Sequence, residues 1–190
     1  MAKKTKKAAR KPVKKAKMRP MKAKAKKAAP KKAKKAAKKG SKLSPDQLMA
    51  KVRGKVEGFL KKLYKRYEKH DDDRYLVFEG TTAIQTVLRP WHRDDVVVES
   101  FAYVVQDPRI DENLLRFLLR ENAMMHFGAF GLTFDGTIIF SHSLAGANLD
   151  ENEFVSSIKS VAKISDYYDE RIVQMAGGMT ARDAMKKGII

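Results

Sequence analysis

Four histidines are the side chains best suited to proton transfer or metal binding: His70, His92, His126 and His142. No two share the spacing that sets two metal ligands on one element. His142 falls in a strand-like run, opposite Ala129 in the pairing set out below, where a packed or surface role is commoner than a base. The chain has no cysteine, so thiolate chemistry and disulfides are excluded, and a reducing cytosol is the simplest home. No Ser lies in a Gly-x-Ser-x-Gly turn. No Gly-rich loop precedes a helix to cradle phosphate. The acid pairs Asp94-Asp95 and Asp169-Glu170 have no visible partner, and His70-Asp71-Asp72-Asp73 reads as a solvated turn. Gly128-x-x-Gly131 is spaced like a clamp for nucleic-acid backbone, but it sits inside a strand-like run, where Gly more often marks a bulge or a close approach. These residues point to no enzyme, no cofactor and no metal.

The chemistry that the sequence does concentrate is positive charge. Residues 1–40 carry 18 Lys, 2 Arg and no acid, whereas residues 41–190 carry 21 basic and 22 acidic groups. The net charge of +19 therefore belongs to the first 40 residues. The cations are Lys3, Lys4, Lys6, Lys7, Arg10, Lys11, Lys14, Lys15, Lys17, Arg19, Lys22, Lys24, Lys26, Lys27, Lys31, Lys32, Lys34, Lys35, Lys38 and Lys39. Interleaved Ala and Pro bury too little apolar area to offset ordering, so residues 1–43 are expected to be a disordered basic tail. Lys and Ala favour helix once a polyanion removes the repulsion, and Pro12, Pro20 and Pro30 would cut it into short pieces. Such a tail binds phosphate backbone, DNA or RNA, without reading sequence. It has no aromatic residue for base stacking. The first residues lack the apolar core of a signal peptide, and no run approaches membrane-spanning length.

The rest of the chain supplies the elements. Ser44-Pro45-Asp46-Gln47 starts a helix, and apolar residues from Leu48 to Tyr67 recur at spacings of three and four. Gly54 and Gly58 fall on one side of it, where close packing against a sheet, or a bound peptide, is expected. Three strands follow: Tyr75 to Phe78, Thr81 to Leu88 ended by Arg89-Pro90, and Val96 to Val105. The lone Trp91 is placed in the turn between the second and third, where it is either an exposed binding anchor or, as is commoner for a lone Trp, a cap on a core edge. Asp111 opens a second helix through Leu114-Leu115-Arg116-Phe117-Leu118-Leu119. Asp135-Gly136 then reads as a two-residue hairpin turn pairing Phe134 with Thr137, Leu132 with Ile139 and Gly131 with Phe140. That register makes both faces of the sheet apolar, so something must cover each. Asp150 and Glu153 form a capping box, with Leu149 and Phe154 as a staple, for a last helix that Gly177-Gly178 stops. Thr180 and Asp183 suit a further turn or two of helix.

Three stretches carry a family resemblance: Asn113-Leu114-Leu115-Arg116-Phe117-Leu118-Leu119-Arg120-Glu121-Asn122, Phe130-Gly131-Leu132-Thr133-Phe134-Asp135-Gly136-Thr137-Ile138, and the run from Leu149-Asp150 to Tyr167-Tyr168-Asp169. With the element order, they resemble the YbjN family and the type III secretion chaperones of the CesT/Tir kind. The tail resembles the Lys/Ala/Pro tails of linker histones and bacterial histone-like proteins. The resemblance implies an α+β fold: helix, three antiparallel strands, helix, β-hairpin, helix. It also implies a homodimer with its contact on the second helix, here Leu114, Leu115, Leu118 and Leu119. A groove between sheet and first helix would hold an extended partner segment, here at Val52, Phe59, Leu76, Phe78 and Ile84. Two departures stand out: the body is near neutral where the secretion chaperones tend to be acidic, and they lack a basic tail.

The expected organisation is a tail over 1–43, a domain over 44–178 and a short extension over 179–190. The expected function is that of a cytoplasmic, non-enzymatic binding protein in two parts: a tail that binds nucleic acid, near the nucleoid, and a dimeric protein-binding body. The alternative is a chaperone or regulator of a protein or peptide partner, with the tail secondary.

Overall fold

The structure, a computed structural model, describes residues 43–64 and 67–189. The tail cations from Lys3 to Lys39 lie outside the described residues. Helix α1 spans Pro45–Leu63 and opens as the sequence requires. The Ser44 hydroxyl accepts from the Gln47 N–H at 3.3 Å, and the Gln47 side chain accepts from the Ser44 N–H at 3.0 Å. The helix ends earlier than its apolar spacing implies. Tyr64 is extended, and Tyr67 begins a strand instead of continuing the stripe. Among the described residues there are therefore four strands before the second helix: β1 Tyr67–Asp71, β2 Arg74–Glu79, β3 Thr82–Trp91 and β4 Asp95–Gln106. The aspartate cluster forms the β1–β2 turn, with the Asp71 carboxylate accepting from the Asp73 N–H at 2.8 Å.

Arg89-Pro90 does not end β3, since Pro90 pairs with Val96 and Trp91 with Asp95. The Leu88 N–H donates to Asp73 O on the β2 side. Pro90, two residues on, would aim its missing N–H the same way, past the end of β2, where a ladder bond is not needed.

Helix α2, Glu112–Met124, is capped by Asp111, whose carboxylate accepts from the Leu114 N–H at 3.0 Å. Strands β5, Ala129–Leu132, and β6, Ile138–Ala145, form the hairpin. Its register differs by one residue from the two-residue turn: Leu132 pairs with Ile138, Gly131 with Ile139 and Phe130 with Phe140. Within Phe134-Asp135-Gly136 only Gly136 takes a positive φ, of 84°. This is a three-residue loop with a left-handed glycine, and not the double positive φ of a type I′ turn. The Asp135 carboxylate fixes it by accepting from the Thr133 hydroxyl and, at 3.1 Å, from the Thr137 N–H. Phe130 and Phe140 thus share the core face, while Phe134 points into solvent. His142 consequently pairs with Ser100 of β4, and Ala129 pairs with Ser141.

Helix α3, Glu151–Ala176, carries the capping box and the staple: Asp150 with Glu153, and Leu149 with Phe154, both buried. The chain then adds β7, Met179–Thr180, against Val105 and Gln106 of β4, followed by α4, Ala181–Lys186. Residues 179–186 are therefore part of the body and not an extension from it. They fit there because β3 pairs with β4 only as far as Phe101, which leaves the last residues of β4 free on that side.

The sheet runs β1-β2-β3-β4-β6-β5, with β7 beside β4. α1 and α3 cover one face, on which Val77, Ile84, Leu88, Val98, Ala102 and Phe140 are buried. At the far edge, Asn122 of α2 takes the place of a neighbouring strand. Its amide accepts from the Phe130 N–H at 2.7 Å and donates to Phe130 O at 3.1 Å. An exposed edge would otherwise offer those groups to another chain. Asn122→Ala leaves both without a protein partner, and the expected loss is about 2 kcal/mol of unfolding free energy. A denaturant midpoint change worth less than about 0.5 kcal/mol contradicts that role.

Candidate binding surfaces

Strand alternation sets the two faces of the sheet apart. Opposite the helices lie Leu76 and Phe78 of β2, Val97 and Phe101 of β4, and Ile139 of β6. Among the described residues no helix covers this face. Phe78 is 45% exposed and Trp91 56%, against 1% for Tyr75 and 0% for Phe140 on the covered side. The charges here are paired: Arg89 lies 3.3 Å from Glu99 across β3 and β4. Phe101 and Tyr103 meet edge-on with centroids 5.8 Å apart. Neighbours on the same face can therefore bury one another only in part.

The five residues expected to line one groove lie in two places. Val52 and Ile84 are fully buried between α1 and the sheet, so they offer no surface. Phe59 packs beside them, 5.8 Å from Phe154. Leu76 and Phe78 lie on the opposite face of the sheet. The reason is period two: Ile84 pairs with Val77, which points to the helices, so Leu76 and Phe78 on either side point away. The surface the structure does present is the open face together with the outer edge of β1, which is the last strand in the sheet order. Sequence reading missed this edge because Tyr67 also fits the helical stripe. Tyr67-Glu68-Lys69-His70-Asp71 has one aromatic residue followed by four polar ones, so no period-two pattern marks it as a strand. Lys69 bridges Glu57 at 3.2 Å and Asp72 at 3.0 Å. That bond first, and then the Tyr75 hydroxyl at 3.1 Å, hold the Glu57 carboxyl below its usual range.

The four leucines of α2 also separate. Leu114 and Leu118 belong to the chain's own core, 0% and 6% exposed, whereas Leu115 and Leu119 face outward at 39% and 68%. A contact through this helix would use only the outer pair. Gly54 and Gly58 are exposed with nothing within 4 Å of where a Cβ would stand, so they do not pack against the sheet. Trp91 stands exposed at the end of β3, edge-on to His92, instead of capping a core edge.

The candidate catalytic groups have structural positions. The Asp95 carboxylate accepts from the N–H groups of Val96 at 2.7 Å and Ala147 at 2.9 Å, bracing the loop after β6. Burial pushes the Asp169 carboxyl up, and Glu170 lies 3.5 Å from Arg182. At Gly128, with φ of 80°, a Cβ would stand 2.7 Å from the Phe140 ring, so this glycine marks a close approach and not a phosphate clamp. His142 lies beneath α3, Nδ1 2.9 Å from the Ser157 hydroxyl, and burial pushes its imidazole below the usual range. Among the described residues no group of His, Asp and Glu side chains could hold a metal ion. Among them, too, no helix is long and apolar enough to cross a membrane.

Residues 46–184 match the family model TY-Chap1, "T3SS (YopN, CesT) and YbjN peptide-binding chaperone 1". The chain belongs to this family. As a TY-Chap1 protein it shares its fold with a chain of the ExsC-ExsE complex, at a TM-score of 0.51 and 17% identity. The match covers 65% of this chain and 94% of that one. No curated protein matches the sequence. The family description, which names peptide binding, favours the protein-binding reading over the nucleic-acid one.

The buried His142 gives a pH prediction. Its folded pKa lies below its unfolded value of 6.5, so between those two values the unfolded chain binds the extra proton. Stability is unaffected by this group above pH 6.5 and falls as pH drops below it. Thermal melts from pH 7.5 to 5 should show His142→Gln losing less stability over that interval than the wild type. Parallel losses contradict the assignment.

Proposed function

We propose that this TY-Chap1 protein is a non-catalytic chaperone that holds an extended segment of a protein partner against the open sheet face, at the β1–β2 end. The observation that carries this reading is the apolar face that no described residue covers, with Leu76 and Phe78 on β2 beside β1, whose outer edge pairs with no described strand. An extended segment can add its backbone to such an edge, and every second side chain then lies on the neighbouring apolar face. The family description, which names peptide binding, and the likeness to a chain solved in a two-protein complex support the reading. The working unit is a homodimer joined through Leu115 and Leu119 of α2.

Arrays of 15-residue segments probed with the full chain test this. Segments with alternating apolar residues should bind. A Leu76→Ser, Phe78→Ser double variant should lose about tenfold or more of that signal, since two apolar contacts are removed, while its melting temperature stays within a few degrees. An undiminished signal contradicts the site. Light scattering should give twice the 21.5 kDa of one chain, and Leu119→Glu the single mass. A single-chain mass for the wild type contradicts the dimer.

A second reading concerns the tail, and one observation favours it: twenty cations in forty residues with no acid. The tail would tether the chaperone to DNA or RNA through phosphate contacts. With about ten phosphates engaged, log K falls against log salt with a slope of roughly −7 to −9. Equal duplex affinity for the full chain and for residues 41–190 contradicts this reading.

A further inference from the structure

The seam between α2 and α3 carries a feature that the open sheet face does not use. Tyr168 of α3 is locked on three sides. Its ring centroid lies 5.2 Å from Phe130 and 6.2 Å from Phe117, and its hydroxyl donates to Glu121 of α2 at 2.6 Å. Arg171, one turn on, lays its guanidinium over these rings, with Cζ 4.8 Å from the Phe117 centroid and 5.8 Å from that of Tyr168. Stacking orients a guanidinium and leaves its N–H edge unused. Arg171 is exposed, and among the described residues no carboxylate forms an ion pair with it. Glu121 is already engaged by Tyr168. Beside this fork stands Tyr167, 70% exposed and edge-on to Tyr168 at 4.9 Å.

We propose that this oriented guanidinium is a second docking point, which takes one Asp or Glu side chain of a protein partner while an adjacent apolar residue rests on Tyr167. A carboxylate matches the fork with two parallel hydrogen bonds. The fork is one guanidinium, enough to pair one carboxylate, and the neighbouring acids of α3 are turned elsewhere: Asp166 to the Thr81 hydroxyl at 3.5 Å and Glu170 to Arg182 at 3.5 Å. The docking point lies on the opposite flank of α2 from Leu115 and Leu119, so a dimer through that pair leaves it accessible. That the ligand is a protein segment rests on the chaperone reading above.

The test uses the full chain, 15N-labelled at arginine, with the Arg171 Nε–H signal assigned from Arg171→Lys. The probes are an acetylated peptide of alternating Leu and Glu, the same peptide with Gln for Glu, and a third with phosphoserine for Glu. The Glu peptide should shift the Arg171 signal and the Gln peptide should not. Arg171→Ala should weaken the Glu peptide about tenfold, as loss of a paired charge-assisted contact implies. Phe117→Leu, which removes the stacking ring but keeps the charge, should weaken it by a smaller factor. The Leu76→Ser, Phe78→Ser variant should leave the Arg171 shift intact, which separates failure here from failure of the sheet-face reading. An unmoved Arg171 signal while the peptide binds, an equal shift with Gln, or tenfold tighter phosphoserine binding overturns the proposal.

Discussion

A β-strand points its side chains alternately to two faces, and this chain has apolar residues on both. Everything else in the body follows from how that constraint is met. On one face α1 and α3 close over Val98, Ala102 and Phe140, and the capping boxes at Ser44 and Asp150 fix where both helices begin. On the other face Phe78 and Trp91 stay about half exposed, with Val97 and Phe101 of β4 and Ile139 of β6 on the same face. Burying each such side chain is worth about 1.5–3 kcal/mol, so a cover supplied by another protein gains what the chain itself leaves unused.

The edges of the sheet are treated as unequally as its faces. Asn122 saturates the outward backbone groups of Phe130 at the β5 edge, and β7 fills the gap that β3 leaves beside Val105. At β1 the outer edge keeps its backbone groups, next to Leu76 and Phe78. Among the described residues one edge and one face therefore remain open side by side, as strand addition requires. The α2–α3 seam adds a polar counterpart, since an apolar strip holds a segment while a single oriented Arg171 could set its register.

Local signals are legible in this sequence, and long-range ones are not. Helix starts rest on contacts three residues apart, so Ser44-Gln47 and Asp150-Glu153 were legible. The hairpin register was not, because Asp135-Gly136 fits two turn types. The choice between them rests on the Asp135 carboxylate, which holds Thr133 and Thr137 and leaves positive φ to Gly136 alone. β1 was hidden because Tyr67 suits a helix as well as a strand. The groove residues were split by one parity step in β2. The stacking of Arg171 on Phe117 joins residues far apart in the chain, and no spacing rule marks it. The family was legible from α2, the hairpin and α3, where the local patterns are densest.

Hydroxyl-radical footprinting of the full chain, alone and with a bound peptide of alternating Leu and Glu, tests the central claim most directly. In the chain alone Phe78 and Trp91 should oxidise readily while Tyr75 and Phe140 stay protected, and protection of the first pair should rise when the peptide binds. Protection of Phe78 and Trp91 equal to that of Tyr75 in the single chain would contradict the account, because the open face would then be closed from within.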